Sequence, residues 1–256
     1  MTSIIPSSTD EVTKETNVIQ ASGNSSANQV VSDRIRSRLI EKGISYFAND
    51  NVAECIEPGE LKELEDEVAC RFRDLLTSLV IDIDNDHNTE ETANRVARMY
   101  IHEVFKGRYH KQPKVTSFPN VKKLDEIYTV GPITVRSACS HHFVPIMGYC
   151  WIGIKPGSRV IGLSKFARVA DWVFSRPHIQ EEAVMILADE IERLCEPQGL
   201  GIIIKADHFC MKLRGVKESH CTMVNSVVRG DFRHDPILKQ EFFELVRQQS
   251  TVGKNY

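Results

Sequence analysis

The chain has 256 residues, 41% of them hydrophobic and 26% charged, enough to bury the core of one or two globular domains. A formal net charge of −3 gives no general pull toward nucleic acid or an acidic membrane, so any anionic ligand must be held by a local basic cluster. Seven cysteines, an odd number spread from Cys55 to Cys221, are not the dense even framework of a secreted mini-domain, and a reducing, cytoplasmic setting is expected.

Residues 1–30 are rich in Ser, Thr and Asn without helical or strand period, and read as a flexible tail that cannot bury enough apolar surface to offset its ordering entropy. The N-terminus has no basic region followed by an apolar run, and no stretch approaches the roughly eighteen apolar residues of a membrane span. A helical region is expected over 31–110. Its first helix, with Ser32 placed to cap it, carries Ile35, Leu39 and Ile40 and fades near Tyr46. The second follows Pro58-Gly59, with Leu61, Leu64, Val68, Phe72, Leu75, Leu76 and Leu79 inward and Glu60, Lys62, Glu63, Glu65 and Asp66 on a solvated face. The third is opened by Asn88-Thr89-Glu90-Glu91, runs through Val96, Tyr100 and Val104, and closes at Gly107.

Beyond Pro113 the periodicity changes, and residues 111–250 read as a second unit. Ile127–Val130 and Ile133–Val135 lead as a strand into a turn at Cys139, and Gly148–Ile154 returns to Pro156-Gly157. Ser164 is placed to cap a helix with Phe166, Val169, Ala170 and Val173 inward. Pro177 lies early in a second helix carrying Ala183, Ile186, Leu187, Ile191 and Leu194. Strands at about 200–211 and 220–229 and a helix from Asp235-Pro236 complete the order. That order predicts an α+β fold: N-terminal helices, then an antiparallel sheet with helices on one face. A sheet of so few strands has open edges, and pairing them between subunits predicts a homo-oligomer.

The chemistry centres on Cys139-Ser140-His141-His142 and His208-Phe209-Cys210. A thiolate and an imidazole three residues apart can close on one cation, and a second thiolate makes three ligands, leaving a fourth tetrahedral position open as in catalytic zinc sites. As a strand, residues 202–211 would point His208 and Cys210 the same way, so a closed structural site of Cys139, His142, His208 and Cys210 is the competing reading, as are buried apolar cysteines. Between these motifs, Lys165 and Arg168 lie three apart at a helix start, a setting for an anion to which Arg95 and Arg214 could add; plain surface charge is the alternative. Adjacent Gln180 and Glu181 can meet the edge of a purine, a carboxylate being suited to an N–H and an amino group together.

In this order, Thr92-Ala93-Asn94-Arg95-Val96-Ala97-Arg98-Met99-Tyr100, Cys139-Ser140-His141-His142, Gly162-Leu163-Ser164-Lys165-Phe166-Ala167-Arg168, Gln180-Glu181 and His208-Phe209-Cys210-Met211-Lys212-Leu213-Arg214-Gly215 resemble the GTP cyclohydrolase I family over about residues 88–246. The resemblance implies a tunnelling-type fold (T-fold), a toroidal homodecamer with active sites where subunits meet, and hydrolysis of the GTP imidazole ring at C8, with formate release and formation of 7,8-dihydroneopterin triphosphate. It implies Cys139, His142 and Cys210 as zinc ligands and His141 and His208 as proton-transfer residues, His208 acting in protonated form at the purine N7. Gln180 would hold the ribose side, Glu181 the guanine, Ser164 would lie near the sugar, and Arg95, Lys165, Arg168 and Arg214 would hold the triphosphate.

Two positions depart from the family pattern: Ala93 replaces a helix-start Pro, a harmless change, and Ser140 replaces a Glu beside the histidine pair. Losing that carboxylate is expected to leave zinc and triphosphate binding intact and to alter the later His141-assisted steps or the preferred base. A same-fold hydrolase of another purine or pterin, and a non-catalytic zinc-stabilised nucleotide-binding oligomer, are the alternative functions. A zinc nucleobase deaminase is disfavoured, since neither H-x-E nor P-C-x-x-C occurs.

Overall fold

The structure, a computed structural model, describes residues 30–252. The expected tail lies almost wholly outside the described residues. Helix α1 (Val31–Glu41) buries Val31, Ile35 and Leu39 at a spacing of four, and its cap position is Val30. Ser32 is therefore inside the helix. Its hydroxyl and backbone N–H both donate to the Glu67 carboxylate of α2 (Glu60–Ser78), at 2.8 and 2.9 Å.

Glu60 also departs from the solvated face expected of it. It is 5% exposed and pairs with Arg34 and Arg38 of α1, so this charge stitches two helices together. Leu75 and Leu79 point outward instead. Before α3 (Thr92–Met99), Asp86 rather than Asn88 organises the turn, its carboxylate accepting from the Asn88 backbone N–H and the Thr89 hydroxyl. The helix then widens into a π turn over Tyr100–Val104 and gives way to the short α4 (Lys106–Tyr109). Gly107 lies inside α4 and is no helix stop: its N–H donates to the Ser175 carbonyl at 2.9 Å, and a Cβ there would sit 1.9 Å from the Trp172 oxygen. The missing side chain lets the helical region close on the second unit.

A short ribbon pairs β1 (Ser117–Pro119) with β4 (Arg159–Ile161). The main sheet runs β5-β2-β3-β6-β7, with β2 spanning Tyr128–Cys139, β3 Pro145–Lys155, β5 Pro177–His178, β6 Gly199–His208 and β7 Met223–Gly230. All neighbours are antiparallel except β5, which runs parallel to the end of β2 in the register Ala138↔Pro177, Cys139↔His178. Pro177 thus opens a strand and not a helix, and α6 (Gln180–Cys195) begins three residues later. Its partner α5 (Leu163–Phe174) begins one residue before Ser164, with Gly162 at the cap.

Strand alternation sets the layers. Cys150, Ile152, Ile154, Leu200, Ile202 and Ile204 meet Phe166, Val169 and Val173 of α5 and Ala183, Leu187 and Ile191 of α6 in the main core. This is the α+β arrangement expected, with the two long central helices on one face. At one end of the opposite face, Trp151 and Ile203 are covered by Phe232 of α8 (Asp231–His234) and by Phe242 and Val246 of α9 (Pro236–Val252). The rest of that face is open, with Met147, Tyr149 and Val224 exposed. Among the described residues, no helix is long and apolar enough to cross a membrane.

Candidate active site and metal centre

The ends of three strands meet where β2 stops: β2 at Cys139, β5 at His178 and β6 at His208. Cys139 ends β2, and a tight turn follows in which the Phe143 N–H donates to the Cys139 carbonyl at 2.8 Å, with Phe143 at φ 53°. The Cys139 N–H donates to the Val144 carbonyl at 2.9 Å, and the Ser140 N–H to the His178 carbonyl at 3.0 Å, which ties the turn to β5. Ser140 is partly buried, and His141 and His142 are exposed.

The sequence places Cys210 on a continuing strand, but β6 ends at His208 and residues Phe209–Lys212 form a helical turn, α7. The shared strand face does not exist. The helical turn nevertheless carries Cys210 to the site, where one ligand atom each from Cys139, His142 and Cys210 lies within 4.8 Å of the others. Cys139 Sγ is 4.0 Å from His142 Nδ1 and 3.7 Å from His141 Nδ1. Two thiols and an imidazole suit a borderline-soft divalent cation. Burial first, then the neighbouring Cys139 sulfur, push the Cys210 thiol pKa up. A cation between the sulfurs would reverse that by favouring thiolates, so the donor set fits a metal.

His208 lies outside this group of three. Its Nε2 is 2.8 Å from Gln180 Oε1, and the Gln180 amide nitrogen donates to Asn225 Oδ1 at 2.7 Å and toward the Ile204 carbonyl at 3.4 Å. Gln180 is 3% exposed, so its side chain faces inward, toward His208. Burial lowers the His208 pKa, opposed by the Glu181 and Asp207 carboxylates.

Arg214 Nη1 donates to His142 Nε2 at 2.7 Å, which puts it at the rim of the Cys–His group. A metal on either nitrogen of His142 would take that acceptor away, either by occupying Nε2 or by leaving the ring proton there, and would so free this guanidinium. Glu181 is exposed at the start of α6. Ser164 and Arg168 are exposed on α5, and Lys165 Nζ donates to the Lys114 carbonyl at 3.2 Å. Arg95 is exposed on α3; among the described residues no hydrogen bond or ion pair joins it or Arg168 to the Cys–His group. A groove of about 610 Å³ beside the turn is walled by Tyr100, Phe143, Arg136, Lys106, Met147 and Asp171, with none of Cys139, His142 and Cys210 in its lining. Sequence reasoning missed Asn225, whose alternating strand carries no mark of a role.

With this geometry in place, comparison with known proteins agrees. The family model described as GTP cyclohydrolase I matches residues 68–247. GTP cyclohydrolase 1 of Haemophilus influenzae is 34% identical over 216 residues, covering 84% of this chain and 95% of that protein. The corresponding proteins of Haemophilus ducreyi and Actinobacillus pleuropneumoniae serotype 5b are 35% and 33% identical, each over 84% of this chain and 96% of the relative. Among solved structures, an apo archaeosine synthase QueF-like protein aligns with 47% of this chain and 97% of its own, at 12% identity and a TM-score of 0.32. The chain is an enzyme of the GTP cyclohydrolase I family.

Proposed function

We propose that the protein is a zinc-dependent GTP cyclohydrolase I that hydrolyses the imidazole ring of GTP at C8, releases formate and forms 7,8-dihydroneopterin triphosphate. The observation that carries this reading is the convergence of Cys139, His142 and Cys210, with His208 alongside but held by Gln180 instead of joining the group. Zinc held by those three residues would supply Lewis-acid activation of water near neutral pH. The remaining roles belong to the chain itself. His208 exchanges a proton with the purine during ring opening, and the exposed His141 serves the later ribose steps. The Glu181 carboxylate accepts from the guanine N–H and amino groups, and Ser164 lies near the sugar. Arg95, Lys165, Arg168 and Arg214 hold the triphosphate, Arg214 once it has left His142.

His141, His142, Glu181 and Arg214 are exposed in a single chain. A neighbouring subunit would enclose them and exclude water, so their exposure supports a site shared between subunits; a homodecamer acting in the cytoplasm completes the proposal. The test is purified protein with GTP, scored separately for formate and for a pterin that fluoresces after oxidation. Cys139→Ser and Cys210→Ser are expected to lose zinc and turnover together, and His208→Ala to keep one zinc per subunit while losing turnover by on the order of a hundredfold or more. Equal zinc loss in His208→Ala and Cys210→Ser would favour the closed structural site, and nucleotide retention without either product would favour a binding module.

A further inference from the structure

The buried amide behind His208 has an orientation that can be worked out from its neighbours. The Ile204 carbonyl can only accept, so the Gln180 group facing it at 3.4 Å must be the NH2. The second hydrogen of that NH2 goes to Asn225 Oδ1 at 2.7 Å. Gln180 Oε1 is then the atom 2.8 Å from His208 Nε2, and an amide oxygen can meet only an N–H. This contact requires a proton on Nε2, so in the neutral ring the lone pair is on Nδ1. Gln180 is nearly fully buried at the start of α6, so no competing solvent hydrogen bond relaxes this choice.

Asn225 is the adjustable member of the chain. It lies on β7, the outer strand of the sheet, directly opposite Ile204 in the register. A polar residue at this position, on the α6 face of an edge strand, has no packing reason to be an amide: two residues on, the same face carries Val227, which packs against the main core. Without its acceptor, one Gln180 hydrogen is left unmatched, and only the longer 3.4 Å contact with the Ile204 carbonyl still opposes rotation of the amide. Rotation would present NH2 to His208 Nε2 and move the ring proton to Nδ1.

We infer that Asn225 is a positioning residue: acting through the buried Gln180 amide, it fixes His208 as the Nε2–H tautomer and leaves Nδ1 as the atom that exchanges protons with the substrate. For the neutral ring the tautomer follows from the hydrogen bonds, while the substrate-facing role of Nδ1 rests on the function proposed above.

The experiment compares wild type, Asn225→Leu, Asn225→Ala and Asn225→Asp, each as the full zinc-loaded chain. Solid-state 15N spectra of histidine-labelled protein read the ring directly, the His208 signals being those missing from His208→Gln. Wild type is expected to show His208 as Nε2–H. Leu and Ala should show Nδ1–H or a mixture, and kcat for formate release should fall on the order of tenfold, with KM and zinc content unchanged. Asp keeps an acceptor for Gln180 and should restore both tautomer and kcat. A purely structural Asn225 would lower thermal stability in Leu and Ala without moving the tautomer, and His208 remaining Nε2–H in both overturns the inference, as does Nδ1–H in wild type. Absence of formate from wild type, with the spectra behaving as expected, overturns the functional reading and the role of Nδ1 while upholding Asn225 as the residue that sets the tautomer.

Discussion

His178 shows how one buried side chain ties acid stability to the site. It is 1% exposed at the end of β5, its ring Nε2 is 2.7 Å from the Val173 carbonyl, and its own carbonyl receives the Ser140 N–H of the Cys139 turn. Burial pushes its pKa down from 6.5 to about 4, opposed by the Val173 carbonyl and helped by the Arg176 charge. The folded state therefore requires the neutral ring. The stability this contributes is fully present above the unfolded pKa of 6.5 and is lost as pH falls from there toward 4. Between pH 7 and 4.5 the loss from this group is about 2 kcal/mol, from the pKa difference and linkage. Urea unfolding at fixed protein concentration should show His178→Leu less stable at pH 7 but with a shallower acid limb than wild type. Parallel limbs would mean that other groups carry the acid sensitivity.

At the scale of elements, the seating of α9 depends on two glycines that face it from β3 and β6. A Cβ at Gly153 would lie 2.2 Å from Phe242 Cδ2, and one at Gly201 2.6 Å from Phe242 Cε1, while Phe242 is fully buried and stacked on Phe232 at 5.4 Å. The ring has no free direction in which to yield. Gly201→Ala is expected to destabilise by about 2 kcal/mol through overpacking. Adding Phe242→Leu should recover part of the loss, a coupling visible in a double-mutant cycle. This pair lies on the opposite face from α5 and α6, so zinc content at low temperature should not change. A Gly201→Ala melting temperature equal to that of wild type would show that α9 shifts freely across the sheet.

For the whole molecule, the open surfaces lie where other copies could use them. The sheet has edges at β7 and along the part of β2 that β5 does not cover, and the uncovered end of one face exposes Met147, Tyr149 and Val224. If sites are completed across subunits, inactive Cys210→Ser and Arg95→Ala proteins, dissociated and reassembled together, should regain measurable formate release, since some hybrid sites receive their metal group and their arginine from intact chains. No recovery in verified hybrids, or a fully active monomer in sedimentation, would show that one chain holds the whole site.

Sequence alone determined the parts whose signal is local. The apolar stripes of α2, α5 and α6, the apolar run of β3 and the C-x-x-H turn are written in residues a few positions apart, so periodicity and spacing find them. Family blocks carried Cys210 to the site even though the strand argument offered for it fails at His208, where the chain turns helical. Only the tertiary structure decided what depends on partners distant in sequence. Glu60 is buried because two arginines of α1 come to meet it, and Gly107 is required because α5 ends against it. Gln180 turns inward because Ile204 and Asn225, 24 and 45 residues away, satisfy its amide and leave its oxygen for His208. A hydrogen bond across such a separation leaves no periodic trace, because each partner is an ordinary polar residue until the sheet brings them together.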